Sequence, residues 1–264
     1  MSSSLLHNHK FLKIALAAAG RAGKILQAGF NKEIKVTEKG HLAVADLVTK
    51  YDYWAQKQIL KIITRAFPSH SLLSEEGVSI ERKSDYQWII DPLDGTNNFS
   101  RGIPNFSCSI ALSCKKKLIL GVICLPAQKE TYWAVAGRGA FLNGKRVRVS
   151  KGKRLQSALV GISMLRSREA LAVGAKTFKK LLSIPIKPRI FGSIATDLAR
   201  VASGKLDAVV FNHSMPWDIA AGILLVREAG GTVGNLRHRP VALSDQQLIA
   251  SNGHLHRALL SALQ

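Results

Sequence analysis

Two carboxylates, three positions apart, close the run Trp88-Ile89-Ile90-Asp91-Pro92-Leu93-Asp94-Gly95-Thr96-Asn97. The large apolar residues from Trp88 to Ile90 read as a buried strand. Pro92 sets its own φ and lacks an N–H, so the strand is expected to stop there. Gly95 and Thr96 suit a sharp turn into the exposed amides of a helix N-terminus, a natural seat for phosphate. Two acids beside an anion seat repel that anion unless a cation stands between them. The motif therefore implies a hard divalent metal, Mg²⁺ foremost, bridging carboxylates and phosphate.

The charge balance singles out the same stretch. The 264-residue chain carries 38 Lys+Arg against 17 Asp+Glu, a formal net charge of +21. Acids are scarce, yet Asp46, Asp52, Glu75, Glu76, Asp91 and Asp94 all fall within residues 46–94. Basic residues are spread along the chain, with only short runs such as Lys115-Lys116-Lys117. Such a surface suits anionic partners, a phosphorylated metabolite first; nucleic acid is possible from the charge alone but not favoured. Cys108, Cys114 and Cys124 lack CxxC spacing, which argues against a disulfide framework or a zinc site and for a reducing cytoplasm.

Elements must bring these acids together. Residues 9–29 read as an amphipathic first helix rather than a signal peptide, and no apolar run is long enough to span a bilayer. An extended piece at residues 34–37 and an irregular loop around Gly40 lead to Asp46-Leu47-Val48-Thr49. A second helix then runs to about Ala66, closed by Pro68. Ser71 to Ser74 is a short strand delivering Glu75 and Glu76 at its end. Strands follow at 106–113, 118–124 and 130–136, and Asn143-Gly144 marks a hairpin between 139–141 and 147–149.

The second half alternates strands at 158–162, 189–191, 207–211 and 249–251 with helices at 167–182, 193–203, 217–229 and 254–263. Gly204 and Gly230-Gly231 serve as helix stops. Ser193 stands where an N-cap belongs. The expected class is α+β giving way to α/β, a single catalytic domain over residues 1–264. Residues 1–150 would form its α+β half with most of the metal ligands, and residues 151–264 its α/β half.

Asp218 opens a helix after Pro216-Trp217, where an acid is also favoured simply by the helix dipole. Alongside Glu75, Asp91 and Asp94 it becomes a fourth oxygen ligand. Asp91-Pro92-Leu93-Asp94-Gly95-Thr96 followed by Trp217-Asp218-Ile219-Ala220-Ala221-Gly222 resembles the paired signature of the inositol monophosphatase family. Gly137-Arg138-Gly139-Ala140-Phe141-Leu142-Asn143-Gly144 is similar to its G-x-G-A-x-x-N-G stretch, and the resemblance spans Ala18-Ala19-Gly20 to Ala250-Ser251-Asn252.

The resemblance implies a layered αβαβα sandwich of the sugar-phosphatase type. It also implies a Mg²⁺-dependent, lithium-sensitive phosphatase with two or three ions, commonly a homodimer. Glu75, Asp91 and the Leu93 carbonyl would hold the first ion. Asp91, Asp94 and Asp218 would hold a second, and Glu75 would help with a weaker third. Asp52 and Thr96 would orient the attacking water, and Lys39 would stand for the family's loop lysine.

Substrate contacts would fall to Asp94, Gly95, Thr96, Ser193, Phe211 and Asp218. Inositol-cleaving members carry a glutamate at the position of Phe211, and a phenylalanine cannot accept its hydrogen bonds. Phe211 either finishes a core strand or touches substrate. Inositol 1-phosphate is the default substrate. Histidinol phosphate, fructose 1,6-bisphosphate and 3′-phosphoadenosine 5′-phosphate are alternatives, and an RNA- or transcription-associated role is the reading from another class.

Overall fold

A computed structural model describes residues 3–39, 46–163, 168–236, 239 and 241–263. Helix α1 (Ser3–Gly29) is followed by a hairpin of β1 (Val36–Lys39) and β2 (Asp46–Thr49), then by α2 (Lys50–Ala66). Strands β3 (Ser71–Ser74), β4 (Val78–Ile80) and β5 (Tyr86–Asp94) precede the short helix α3 (Thr96–Ser100). Strands β6 (Ser107–Cys114), β7 (Lys117–Leu125), β8 (Glu130–Val135), β9 (Gly139–Leu142) and β10 (Lys145–Val147) complete an eight-stranded sheet. Its order is β10-β9-β8-β7-β6-β5-β3-β4, antiparallel except where β3 runs parallel to β5.

The second half supplies β11 (Leu159–Ser163), α4 (Arg168–Leu182), β12 (Lys187–Arg189), α5 (Ile194–Ala202) and β13 (Ala208–Phe211). It ends with α6 (Pro216–Glu228), β14 (Thr232–Asn235), β15 (Leu248–Ser251) and α7 (His256–Leu263). These strands form a five-stranded mixed sheet of order β12-β11-β13-β15-β14.

Strand alternation builds five layers from these parts. Trp88 and Ile90 of β5 face α1 and α2, whereas Ile89 faces the central helices α5 and α6. In β13, Val209 and Phe211 turn to those same central helices, and Ala208 and Val210 turn to α4 and α7. The order helix, sheet, helix, sheet, helix follows, an αβαβα sandwich. Gly222 lets α5 and α6 approach closely, because a Cβ there would stand 2.4 Å from the Leu198 side chain.

Several boundaries differ from the sequence expectation. Strand β5 does not stop at Pro92 but continues to Asp94. Its pairing with β6 jumps from Asp91↔Ser109 to Asp94↔Ser107, an irregularity that accommodates the residue without an N–H. The hairpin at Asn143-Gly144 has φ of 48° and 80° at its two central residues, and its second strand starts at Lys145 rather than Val147. Strand β12 lies two residues earlier than expected. Strands β4 and β14 are short and half exposed, with little apolar alternation to reveal them. Ser167 and the loop at Gly40 lie outside the described residues, as does the side chain of Lys39.

Candidate active site

The parallel pairing of β3 with β5 places two acidic turns side by side. Ser74 is in register with Ile90, and the Glu75 N–H donates to the Ile90 carbonyl at 3.2 Å. Helix α2 braces the first turn: Gln56 Nε2 donates to the Glu76 carbonyl at 3.1 Å, and the Ser74 hydroxyl donates to Gln56 Oε1. Asp91 is buried, with one carboxylate oxygen accepting the Leu93 N–H at 2.9 Å.

Glu75, Asp94 and Asp218 surround Asp91 electrostatically. Burial pushes the Asp91 carboxyl well above the usual carboxylate range, and the charges of those three neighbours push it the same way. Asp218 sits in the first turn of α6 and accepts the Met215 N–H at 2.7 Å. It is therefore both the helix cap that its position suggested and a neighbour of the acid cluster.

Asp94 has another set of partners. Its carboxylate accepts the Ser193 hydroxyl at 2.6 Å, the Ala195 N–H at 2.7 Å and the Ile194 N–H at 3.3 Å. Burial raises the Asp94 carboxyl, outweighing the lowering effect of these donors. Ser193 is the N-cap residue of α5 but makes no side-chain cap bond to its own helix. The cap comes from Asp94, 100 residues earlier than Ile194.

Gly95 is the N-cap of α3 at φ 90°, and a Cβ there would lie 2.9 Å from the Asn105 carbonyl and 3.2 Å from Ser193 Cβ. Only glycine satisfies both the backbone and the approach. Asn98 and Asn105 complete the tie across the two halves, donating to the Phe191 carbonyl at 2.8 and 2.9 Å.

Asp52 and Thr96 meet on the other side of the turn. Asp52 is buried in a capping box, its carboxylate accepting the Thr49 N–H at 2.8 Å and the Thr49 hydroxyl at 2.6 Å. Its second oxygen lies 3.3 Å from Thr96 Oγ1, which also lies 3.0 Å from the Leu93 carbonyl. Thr49-x-x-Asp52 is a capping box that the sequence spacing itself shows. The Ile194 and Ala195 amides carried no signal.

Phe211 is fully buried at the end of β13, in a core cluster with Ile194, Leu198 and Ile219. Its ring offers no surface to a ligand, which corrects its place among the substrate contacts. The alternation of β13 sends it inward.

Asp91 and the three acids whose charges act on it offer only carboxylate oxygens. That chemistry fits Mg²⁺, and the mutual repulsion at Asp91 is what a divalent cation relieves. Among the described residues, no group of three or more acidic, histidine or cysteine side chains stands close enough, as placed, to hold a metal ion.

Residues 7–264 match the model of the inositol monophosphatase family. The chain is 38% identical over 262 residues to inositol monophosphatase 2 of Solanum lycopersicum, covering 96% of this chain and 98% of that protein. It is 38% identical over 261 residues to the Nus factor SuhB of Pseudomonas aeruginosa, covering 96% and 95%. The solved extragenic suppressor protein suhB from Bartonella henselae superimposes with a TM-score of 0.91 at 35% identity, over 96% of this chain and 98% of that one. With fold, acidic turns and sequence in agreement along almost its whole length, the chain belongs to the inositol monophosphatase family.

Proposed function

We propose that the chain is a Mg²⁺-dependent phosphomonoesterase that hydrolyses a small phosphorylated polyol, with inositol 1-phosphate the first substrate to test. The observation that carries this reading is the buried Asp91, on which the charges of Glu75, Asp94 and Asp218 act together. Glu75, Asp91 and the Leu93 carbonyl would hold one ion; Asp91, Asp94 and Asp218 would hold another, with Glu75 assisting a third. Bound Mg²⁺ supplies a water of lowered pKa and neutralises phosphate oxygens.

The chain's own residues do the rest. Asp52 holds Thr96, and the two orient the attacking water from the side of the Leu93 carbonyl. The amides of Gly95 and Thr96 hydrogen-bond the phosphate as charge develops on it. Ser193, buried between Asp94 and Thr196, positions Asp94 rather than touching the polyol. With Phe211 buried, no acid stands at the position that grips inositol hydroxyls in family members that cleave inositol phosphates. Histidinol phosphate, fructose 1,6-bisphosphate and 3′-phosphoadenosine 5′-phosphate therefore belong in the same panel.

A core cluster shared by α5, α6 and both large sheets supports reading residues 1–264 as one catalytic domain. The three cysteines are free thiols, in keeping with a cytoplasmic enzyme, and none of the helices among the described residues is long and apolar enough to cross a membrane. A homodimer completes the proposal.

The test is phosphate release from that panel with and without Mg²⁺. Asp94→Asn and Asp218→Asn are expected to lower turnover about 100-fold or more, the several kcal/mol that metal stabilisation supplies. Near-normal activity of both at saturating Mg²⁺ would refute the assignment. A second reading, association with RNA or the transcription machinery, draws on the net charge of +21 and on the likeness to Nus factor SuhB. It predicts RNA binding that weakens steeply with salt and survives Asp94→Asn.

A further inference from the structure

A groove of about 660 Å³ runs along α6 on the sheet face that carries Ile89. Its walls are Leu73, Ile89, Leu118, Ile223, Leu224 and Leu243. Ile89 and Asp91 share a sheet face two positions apart, so this floor lies about 7 Å below the acid cluster. The upper end of the groove reaches Pro216 at the start of α6, and its lower end reaches Arg227 in the last turn.

The charged groups of the groove are of one sign. Lys116, in the turn between β6 and β7, and Lys117, the first residue of β7, line it together with Arg227, and among the described residues no acid does. The acids near these cations are engaged elsewhere. Asp85 pairs with Lys115 at 3.6 Å, and Glu228 accepts the Gly137 and Gly139 N–H groups at 2.8 and 2.7 Å. Partial burial lowers the Arg227 guanidinium. The volume falls within the range of about 300–1,000 Å³ usual for small-molecule sites.

We propose that this groove binds a single-chain amphipathic anion, an alkyl chain ending in a carboxylate or phosphate. The anionic head lies among Lys116, Lys117 and Arg227, and the chain lies on the apolar wall toward Pro216. Three cations at one end of an apolar channel match that ligand in both charge and hydropathy. A neutral lipid would leave the cations unpaired, and a short hydrophilic anion would leave the wall exposed to water.

The test uses the whole protein without added metal, which separates this groove from phosphate binding at the acid cluster. Titration calorimetry with decanoate below its micelle concentration is expected to show one saturable site. Decanol and acetate should bind about tenfold more weakly or worse, and Lys116→Ala combined with Arg227→Ala should weaken decanoate to a similar extent. Ala242→Trp, on the exposed rim, should block binding while leaving phosphate release intact. Equal binding of decanol, or decanoate binding that ignores all three substitutions, overturns the proposal. A dimer that falls apart on Ala242→Trp also overturns it, because the occupant is then a second copy of the chain. Decanoate bound with decyl phosphate inert distinguishes a carboxylate head from a phosphate head. Asp94→Asn, expected to abolish hydrolysis, should leave decanoate binding unchanged.

Discussion

The Ser193 hydroxyl donates to Asp94 Oδ2 at 2.6 Å, across 99 residues of chain. A proposed metal ligand from the first half is thereby oriented by the helix start of the second. Thr196 Oγ1, 2.6 Å from Ser193 Oγ, extends the contact into α5. Groups that orient a ligand from behind tune its affinity for metal.

Ser193→Ala is expected to raise the Mg²⁺ concentration needed for half-maximal phosphate release by about 10- to 100-fold. Turnover at saturating Mg²⁺ should change far less. A Mg²⁺ titration of the two proteins decides it, and an unchanged midpoint means that the amides of Ile194 and Ala195 suffice.

Thr96 makes a different prediction. Its hydroxyl is held between Asp52 and the Leu93 carbonyl, so Thr96→Ala should lower kcat by about 100-fold or more, the contribution of a positioned proton acceptor. KM should move little. Thr96→Ser keeps the hydroxyl and should recover most of the rate, an outcome that loss of packing alone would not produce.

His70 provides a pH test away from the site. Its ring accepts the Trp88 Nε1–H at 3.1 Å and stacks against Phe67 and Tyr86, and burial lowers its pKa from 6.5. The folded chain therefore holds this proton less tightly than the unfolded chain. Stability from this site is fully present above pH 6.5 and declines as pH falls below it. Urea unfolding from about pH 8 to about pH 5.5 should show the decline, and His70→Asn should flatten it.

Asp197 has the opposite sign. It lies fully buried in α5, 3.3 Å from Arg200, and its Oδ2 has no hydrogen-bond partner among the described residues. Burial outweighs Arg200 and raises the carboxyl from 3.8 to about 8. A raised carboxyl contributes stability that is fully present below pH 3.8 and is lost as pH rises through about 8. Asp197→Asn, which mimics the neutral acid, should remove the decline between pH 3.8 and about 8. The same unfolding series extended to about pH 9 measures it.

Local pattern made much of this legible. Continuous apolar runs located β5 to β8, and Gly95 announced the turn because few other residues tolerate its φ and its approach to Asn105. Pro92 misled, because a missing N–H ends a strand only where no irregularity absorbs it. Strands β4 and β14 carry no such apolar pattern, because they are short and bury little.

The sequence by itself determined which residues carry oxygen donors, the turns that present them, and the family to which the chain belongs. Those features depend on backbone preferences within a few positions and on residue types met in order. Tertiary structure alone decided that Asp94 caps α5, that Phe211 turns into the core, and that Asp52 reaches Thr96. Each depends on which face of a strand or helix meets another element far along the chain. Burial and long-range contact are properties of the packed layers, and no local spacing encodes them.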